Sequence, residues 1–405
     1  MAAASTPRNW APIRFHPRGR AEIPDAIRER CERVYALQAD DTARFASVAA
    51  DLRDRLDPTT RTVTAMTCDE RFVILFENWA AGCDQAGIDC RTSTVVFPTD
   101  RATASRVEEL GFVAHFDDES ELLRGMTPSR QYGDRSWADY MYHQNWVIEQ
   151  MLDLTPDIDL LFQDVDVVWR HDPRPALRAT AEADADIQAM YDGPNPRFQP
   201  LYANSGFMYF RNNERVRSFW SEVIAKHELV GYYSSQQAPL NVMLAAHAQR
   251  GLGVRILDED RFANGHLYCG GRTSPDDPWV VHHSWTRDLA QKLARYDQHG
   301  HWYLDHEALR AASEREPDPA SHPPRPAPPT RPSPSTPASD DDATRALLEL
   351  LGRVRRERDA HARSLEEMRN SRSWRMTAPL RRIKDAWLQR RRRPRRDRSA
   401  DPVEA

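Results

Sequence analysis

No apolar run in this 405-residue chain approaches the roughly 20 residues needed to cross a bilayer. The first twenty residues also lack the apolar centre of a secretory leader. Cysteine is scarce: Cys31, Cys68, Cys83, Cys90 and Cys269 are five in number, with no C-x-x-C spacing. That argues against a disulfide framework or a structural zinc site and points to a reducing compartment, so a cytoplasmic location is expected. Neither sign of charge dominates, with 56 basic against 61 acidic residues and a net charge of −5. The global positive field of a dedicated nucleic-acid binder is missing, and no nucleic-acid partner is expected. Core-forming material is ample: 40% of the residues are hydrophobic and 11 are Trp. The length exceeds what one compact core usually absorbs, so a large domain with appendages is expected.

Proline divides the chain. Ten of the 21 residues from Pro317 to Pro337 are Pro, which excludes helix and central strand and implies an extended linker. Five segments result: a helical extension (1–60), a main domain (61–312), the linker (313–342), a helix with a coiled-coil-like stripe (343–369) and a basic tail (370–405). In the first, Ile23, Ile27, Val34, Leu37, Phe45, Val48 and Leu52 recur at helical steps and predict helices packed on the main domain. From residue 61, predicted strands at 61–67, 92–98, 112–116 and 159–162 alternate with predicted helices at 72–85, 102–110 and 137–154. That alternation implies βαβ units on a parallel sheet. The second half is richer in strands (186–191, 205–211, 253–257), with one helix near 214–227, so the fold class is α/β with a mixed sheet flanked by helices.

The sharpest chemical feature is Asp164-Val165-Asp166, set between Leu160-Leu161-Phe162 and Val167-Val168-Trp169. On a strand, residues two apart share a side, so both carboxylates would face one site. Two like charges crowded into apolar surroundings call for a cation, and oxygen ligands of this type suit Mg²⁺ or Mn²⁺.

Asp164-Val165-Asp166-Val167-Val168-Trp169, followed by His171-Asp172-Pro173, resembles a block of the nucleotide-diphospho-sugar transferase family. These are glycosyltransferases of the GT-A fold, including plant xylosyltransferases of rhamnogalacturonan and, more distantly, bacterial galactosyltransferases. Three further blocks follow in the family's order: Asn204-Ser205-Gly206-Phe207; Gln237 with Ala238-Pro239-Leu240-Asn241; and Phe262-Ala263-Asn264-Gly265 with His282-His283-Ser284-Trp285. The resemblance spans about residues 61–300. It implies a nucleotide-diphospho-sugar donor, with uridine as the base, and a glycan or lipid-linked glycan acceptor.

The same resemblance implies roles. Asp164 and Asp166 would contact the metal, Asp166 most directly, with His282 as third ligand and His283 as its rival. Lys292 would neutralise donor phosphate. Asp192, Asn204, Ser205 and Gly206 would line the sugar pocket, Val165 would lie against the donor between the two aspartates, and Thr67 would meet the nucleotide at the end of the first strand. Asp100 has the same address after the second strand. Gln237 would stand near the anomeric carbon, opposite the leaving group, as a weak nucleophile or electrostatic stabiliser of a configuration-retaining transfer. Two positions depart from the pattern: Gln236 replaces the family's acid, and Gln144 stands where relatives carry Lys. Arg135 is the candidate to compensate by contacting phosphate.

Beyond the linker, Leu347, Val354, His361 and Met368 fall at seven-residue steps. Residues 371–398 carry 12 Arg or Lys against two Asp, interleaved with Trp374, Leu380, Ile383, Trp387 and Leu388. This composition suits peripheral contact with the anionic inner face of a membrane. Ser373-Trp374-Arg375-Met376-Thr377-Ala378-Pro379-Leu380-Arg381 resembles the tail of many bacterial glycosyltransferases of surface polysaccharide synthesis, which implies a cell-envelope role. The alternative to an enzyme is a GT-A-like domain without turnover, binding a glycan or partner in a polysaccharide assembly complex.

Overall fold

The computed structural model describes residues 23–126, 135–193, 202–233, 235–271, 278–286 and 288–309. The expected linker, C-terminal helix and basic tail lie outside the described residues.

The chain opens with helix α1 (Asp25–Asp54), one continuous helix of 30 residues where the periodicity suggested several. Its apolar stripe is split between two partners. Cys31, Val34 and Tyr35 pack with Met141, Tyr142 and Val230, while Phe45 and Leu52 join the core over the central sheet. Val48, counted in the predicted stripe, is among the exposed large hydrophobics.

Strand β1 (Thr62–Cys68) is buried along all seven residues, as expected of a central strand covered on both faces. It is followed by α2 (Val73–Gln85), β2 (Thr94–Pro98), α3 (Arg101–Glu109), β3 (Val113–Ala114) and α4 (Glu121–Gly125). Asp100 starts α3 as its N-cap, accepting hydrogen bonds from the Thr103 amide and hydroxyl at 2.8 Å each. The predicted strand at 112–116 shortens to two residues, because only Val95 and Val96 of β2 find partners there.

The long helix α5 (Arg135–Leu154) leads into β4 (Asp159–Gln163), β5 (Val167–Trp169), α6 (Arg174–Ala183) and β6 (Ile187–Tyr191). Then come β7 (Ala203–Phe210), α7 (Glu214–Ile224), α8 (His227–Tyr233) and α9 (Gln237–Ala248). The described fold closes with β8 (Val254–Ile256), β9 (Phe262–Asn264), α10 (Gly265–Cys269), β10 (Val280–His282) and α11 (Leu289–Gln298).

Seven strands form one mixed sheet in the order β3-β2-β1-β4-β7-β6-β8, and three form a second sheet in the order β5-β10-β9. Strands β1 to β4 run parallel, as βαβ units require, whereas β7 runs antiparallel to both β4 and β6. Helices cover both faces. One core gathers Phe76, Trp79, Phe112 and Trp169, the other Phe97, Trp146, Phe162 and Phe210. Burying each such side chain contributes about 1.5–3 kcal/mol, and the sum holds the sheet against which the site is built. The fold is thus the α/β, mixed-sheet architecture expected from the sequence. No helix among the described residues is long and apolar enough to cross a membrane.

Candidate metal and sugar-nucleotide site

The expected continuous strand through Asp164 and Asp166 is broken. β4 stops at Gln163 and β5 starts at Val167, and each belongs to a different sheet. The three residues between them form the corner where the chain changes sheets, so strand alternation does not explain why the aspartates share a site. Register explains it. On one side the Asp164 amide donates to the Gly206 carbonyl at 2.9 Å, extending the pairing of Gln163 with Phe207. On the other, Val167 pairs with His282, and the His283 amide donates to the Asp166 carbonyl at 2.9 Å. The middle of β7 and the end of β10 are thereby brought to the same corner.

Asp164, Asp166 and His282 each turn one possible ligand atom inward, and these atoms lie within 4.8 Å of one another. His282 Nε2 stands 3.1 Å from Asp166 Oδ1 and 3.7 Å from Asp164 Oδ2. The space between them depends on Gly206. A Cβ there would collide with Asp164 Oδ2 and lie 2.6 Å from His282 Cε1. Two carboxylates and an imidazole around a space that a methyl group would fill fit a hard divalent cation such as Mn²⁺ or Mg²⁺.

The charges agree. Burial and the neighbouring Asp166 push the Asp164 carboxyl above its usual range. Burial acts the same way on Asp166, but Lys292 and His282 outweigh it and hold that carboxyl well below the ordinary range. Burial disfavours a charged His282, yet Asp166 and then Asp164 raise its pKa. Lys292 reaches in from α11, contacts Asp166 Oδ2 and lies 3.3 Å from the His283 carbonyl. His283 turns away: its Nε2 is 2.9 Å from His301 Nδ1, and its ring stacks on Tyr296 at 4.1 Å between centroids. Of the two neighbouring histidines, His282 is the one that joins the carboxylates.

A second polar group adjoins the first. Asp192, buried past the end of β6, accepts from Asn204 Nδ2 (2.6 Å), Gln237 Nε2 (2.7 Å) and the indole nitrogen of Trp285 (3.2 Å). Burial raises its carboxyl pKa while these three hydrogen bonds oppose the rise. Asn204 Oδ1 accepts from the Gly206 amide at 2.8 Å, and Gln237 Oε1 accepts from the Ser205 amide at 3.2 Å. Asp192, Asn204, Ser205, Gly206 and Gln237 therefore form one network that touches the metal-ligand cluster through Gly206.

Below Asp164 lies a third layer. Gln144 Nε2 donates to Asp164 Oδ1 at 3.0 Å and to the Thr67 hydroxyl at 3.1 Å, and Thr67 donates to Tyr140 at 2.9 Å. Gln236 Nε2 donates to Gln144 Oε1 at 3.0 Å. The two departures from the family pattern are thus hydrogen-bonded to each other as a neutral pair.

Three candidates stand apart. The side chain of Val165 packs in a hydrophobic core beside Val167, leaving only its backbone at the corner. Asp100 is occupied as a helix cap and also accepts from the Glu70 amide at 2.9 Å. Arg135 opens α5, and its side chain lies outside the described residues. The sequence reading named Trp285 only as part of a motif and passed over Tyr140. Trp285 could have been found by asking what an aromatic side chain does directly after a ligand block.

Comparison with known proteins bears on this geometry. A family model described as nucleotide-diphospho-sugar transferase matches residues 90–296. A UDP-D-xylose:L-fucose alpha-1,3-D-xylosyltransferase from Arabidopsis thaliana is 22% identical over 204 residues, covering 44% of this chain and 54% of that protein. The chain thus matches about half the length of that curated relative. Among solved structures, the galactosyltransferase LgtC with donor and acceptor sugar analogues aligns at 16% identity and a TM-score of 0.37, covering 62% of this chain and 99% of that one. Mouse xyloside xylosyltransferase 1 aligns at 12% identity and a TM-score of 0.36, covering 55% and 98%.

Proposed function

The chain belongs to the nucleotide-diphospho-sugar transferase family, and from that premise we propose that it is a metal-dependent, configuration-retaining glycosyltransferase. Its donor is a nucleotide-diphospho-sugar with uridine as base, and its acceptor is a glycan or lipid-linked glycan of bacterial surface polysaccharide synthesis. The observation that carries the reading is the convergence of Asp164, Asp166 and His282 around the space left by Gly206.

A divalent ion held by those three side chains would offset the charge that develops on the departing nucleoside diphosphate. The chain's own groups do the rest. Lys292 adds a second positive charge at the same edge. Thr67, at the end of β1, stands where open α/β sheets receive ligands. Asp192 fixes the amides of Asn204 and Gln237, so both meet a sugar already oriented rather than freely rotating. The Ser205 amide polarises the Gln237 carbonyl and holds it in place for the anomeric carbon.

A second reading, a domain that binds nucleotide-sugar or glycan without turnover, draws on the neutral Gln144–Gln236 pair where the family pattern has charge. The test is release of nucleoside diphosphate by the full-length protein from a panel of nucleotide-sugars with Mn²⁺. The transferase reading expects one preferred donor and loss of release with EDTA. Tight donor binding with no release, acceptor glycans included, would favour the second reading.

A further inference from the structure

Trp285 is the one non-glycine residue with positive φ among the described residues, at 61°, and its side chain is 52% exposed. A bulky side chain in the left-handed region persists only where its surroundings impose it, and such strain gathers at functional sites. Here the imposition is visible. The Ser284 amide donates to the His282 carbonyl at 2.8 Å, Arg295 Nη1 donates to the Ser284 carbonyl at 2.9 Å, and a Cβ on Gly265 would collide with that same carbonyl. The turn after the His282 ligand position is clamped, and the clamp presents an indole to solvent.

The indole is also aimed. Its nitrogen is tethered to Asp192 Oδ1, the carboxylate that holds Asn204 and Gln237, so the ring stands at the rim of the sugar-binding network. The ring of His266 lies beside it, 5.1 Å between centroids and tilted by 36°. Gly193, with φ of 99°, brings backbone close to both rings: a Cβ there would stand 3.5 Å from His266 and 3.7 Å from Trp285. With its N–H already used, the indole has only its apolar faces left to offer.

We propose that Trp285 and His266 form a stacking platform for the acceptor saccharide, the indole taking the C–H face of a pyranose ring while Asp192 holds the platform in register with Gln237. The inference rests on the transferase reading, which supplies the donor on the other side of Asp192. A polar neighbour suits this occupant: the imidazole of His266 beside the ring can meet hydroxyl groups, which an acyl chain lacks.

The test uses the full-length protein with saturating UDP and Mg²⁺, so that the nucleotide part of the donor site is filled, and a panel of methyl pyranosides followed by saturation-transfer NMR. The expected result is saturable binding of at least one pyranoside through its C–H face in the presence of UDP. Trp285→Ala should weaken it tenfold or more, Trp285→Phe by less than about threefold, and His266→Ala by an intermediate factor. UDP titration of each variant, monitored by calorimetry, should stay within about twofold of the parent. Pyranoside binding that is absent, displaced by UDP, or unaffected by Trp285→Ala would overturn the platform. So would an equal loss of pyranoside and UDP affinity, which would make the indole a support for Asp192 alone. Failure of the transferase reading is separable: it would show as absent UDP and metal binding or absent donor turnover, whatever the pyranosides do.

Discussion

Gly206 carries the most specific residue-level consequence. Its missing Cβ is the space between Asp164 and His282. Gly206→Ala should fold, because its Cβ would meet side-chain atoms of Asp164 and His282 rather than backbone, yet it should lower Mn²⁺ affinity by roughly ten- to a hundredfold, the range seen when support around a metal site is disturbed. Calorimetric metal titration beside a thermal melt would separate the two effects, and an unchanged affinity would count against the cluster as a metal site. Asp192→Asn should remove the acceptor oxygen that Gln237 or Asn204 uses and leave facing amide groups. We expect kcat for the preferred donor to fall by about tenfold or more, consistent with roughly 1–3 kcal/mol for an unsatisfied buried polar group. Gln237 and Asn204 were both named from the sequence because motif residues carry their own chemistry. Their shared dependence on Asp192 was not visible, since the contact joins positions 12 and 45 residues away.

At the scale of elements, the Asp100 cap and the burial of His143 give two stability predictions. Asp100→Ala should destabilise α3 by about 1 kcal/mol, measured by chemical denaturation. His143, on α5, is pushed down to a pKa of about 3 by burial, with His115 adding repulsion. The unfolded chain therefore takes up a proton below about pH 6.5 that the folded chain refuses, and stability falls as pH falls. Between pH 7 and 5 the difference is about 2 kcal/mol. Burial raises Glu149 to about 7, which works in the opposite direction. Comparing the parent with His143→Phe at pH 7 and pH 5 cancels that contribution, and the variant should lose less stability on acidification. The elements were legible where they had length and periodicity, as for β1, α5 and α7. The short strands β5, β9 and β10, three residues each, carry no readable period. Those strands form the second sheet, so the break in the chain at Asp164–Asp166 could not be read from alternation.

For the whole molecule, the resemblance blocks were informative because each marks a place where backbone meets the site: the corner after β4, the first half of β7, the start of α9 and the end of β10. What joins them is long-range register, which no local pattern encodes. The basic segment 371–398 makes its own prediction. Truncation at residue 370 should reduce sedimentation of the protein with anionic vesicles at low ionic strength, since attraction of basic residues to anionic lipid is electrostatic and screened by salt. Equal sedimentation of both forms would remove the membrane contact from the account.

The most direct measurement is metal-dependent release of nucleoside diphosphate from the preferred donor by the full-length protein and its Asp166→Ala variant. The account predicts release that EDTA abolishes and that the variant lowers at least roughly a hundredfold, because one of three ligands is gone and Lys292 loses its partner. An Asp166→Ala protein that still turned over donor in a metal-dependent way would contradict it.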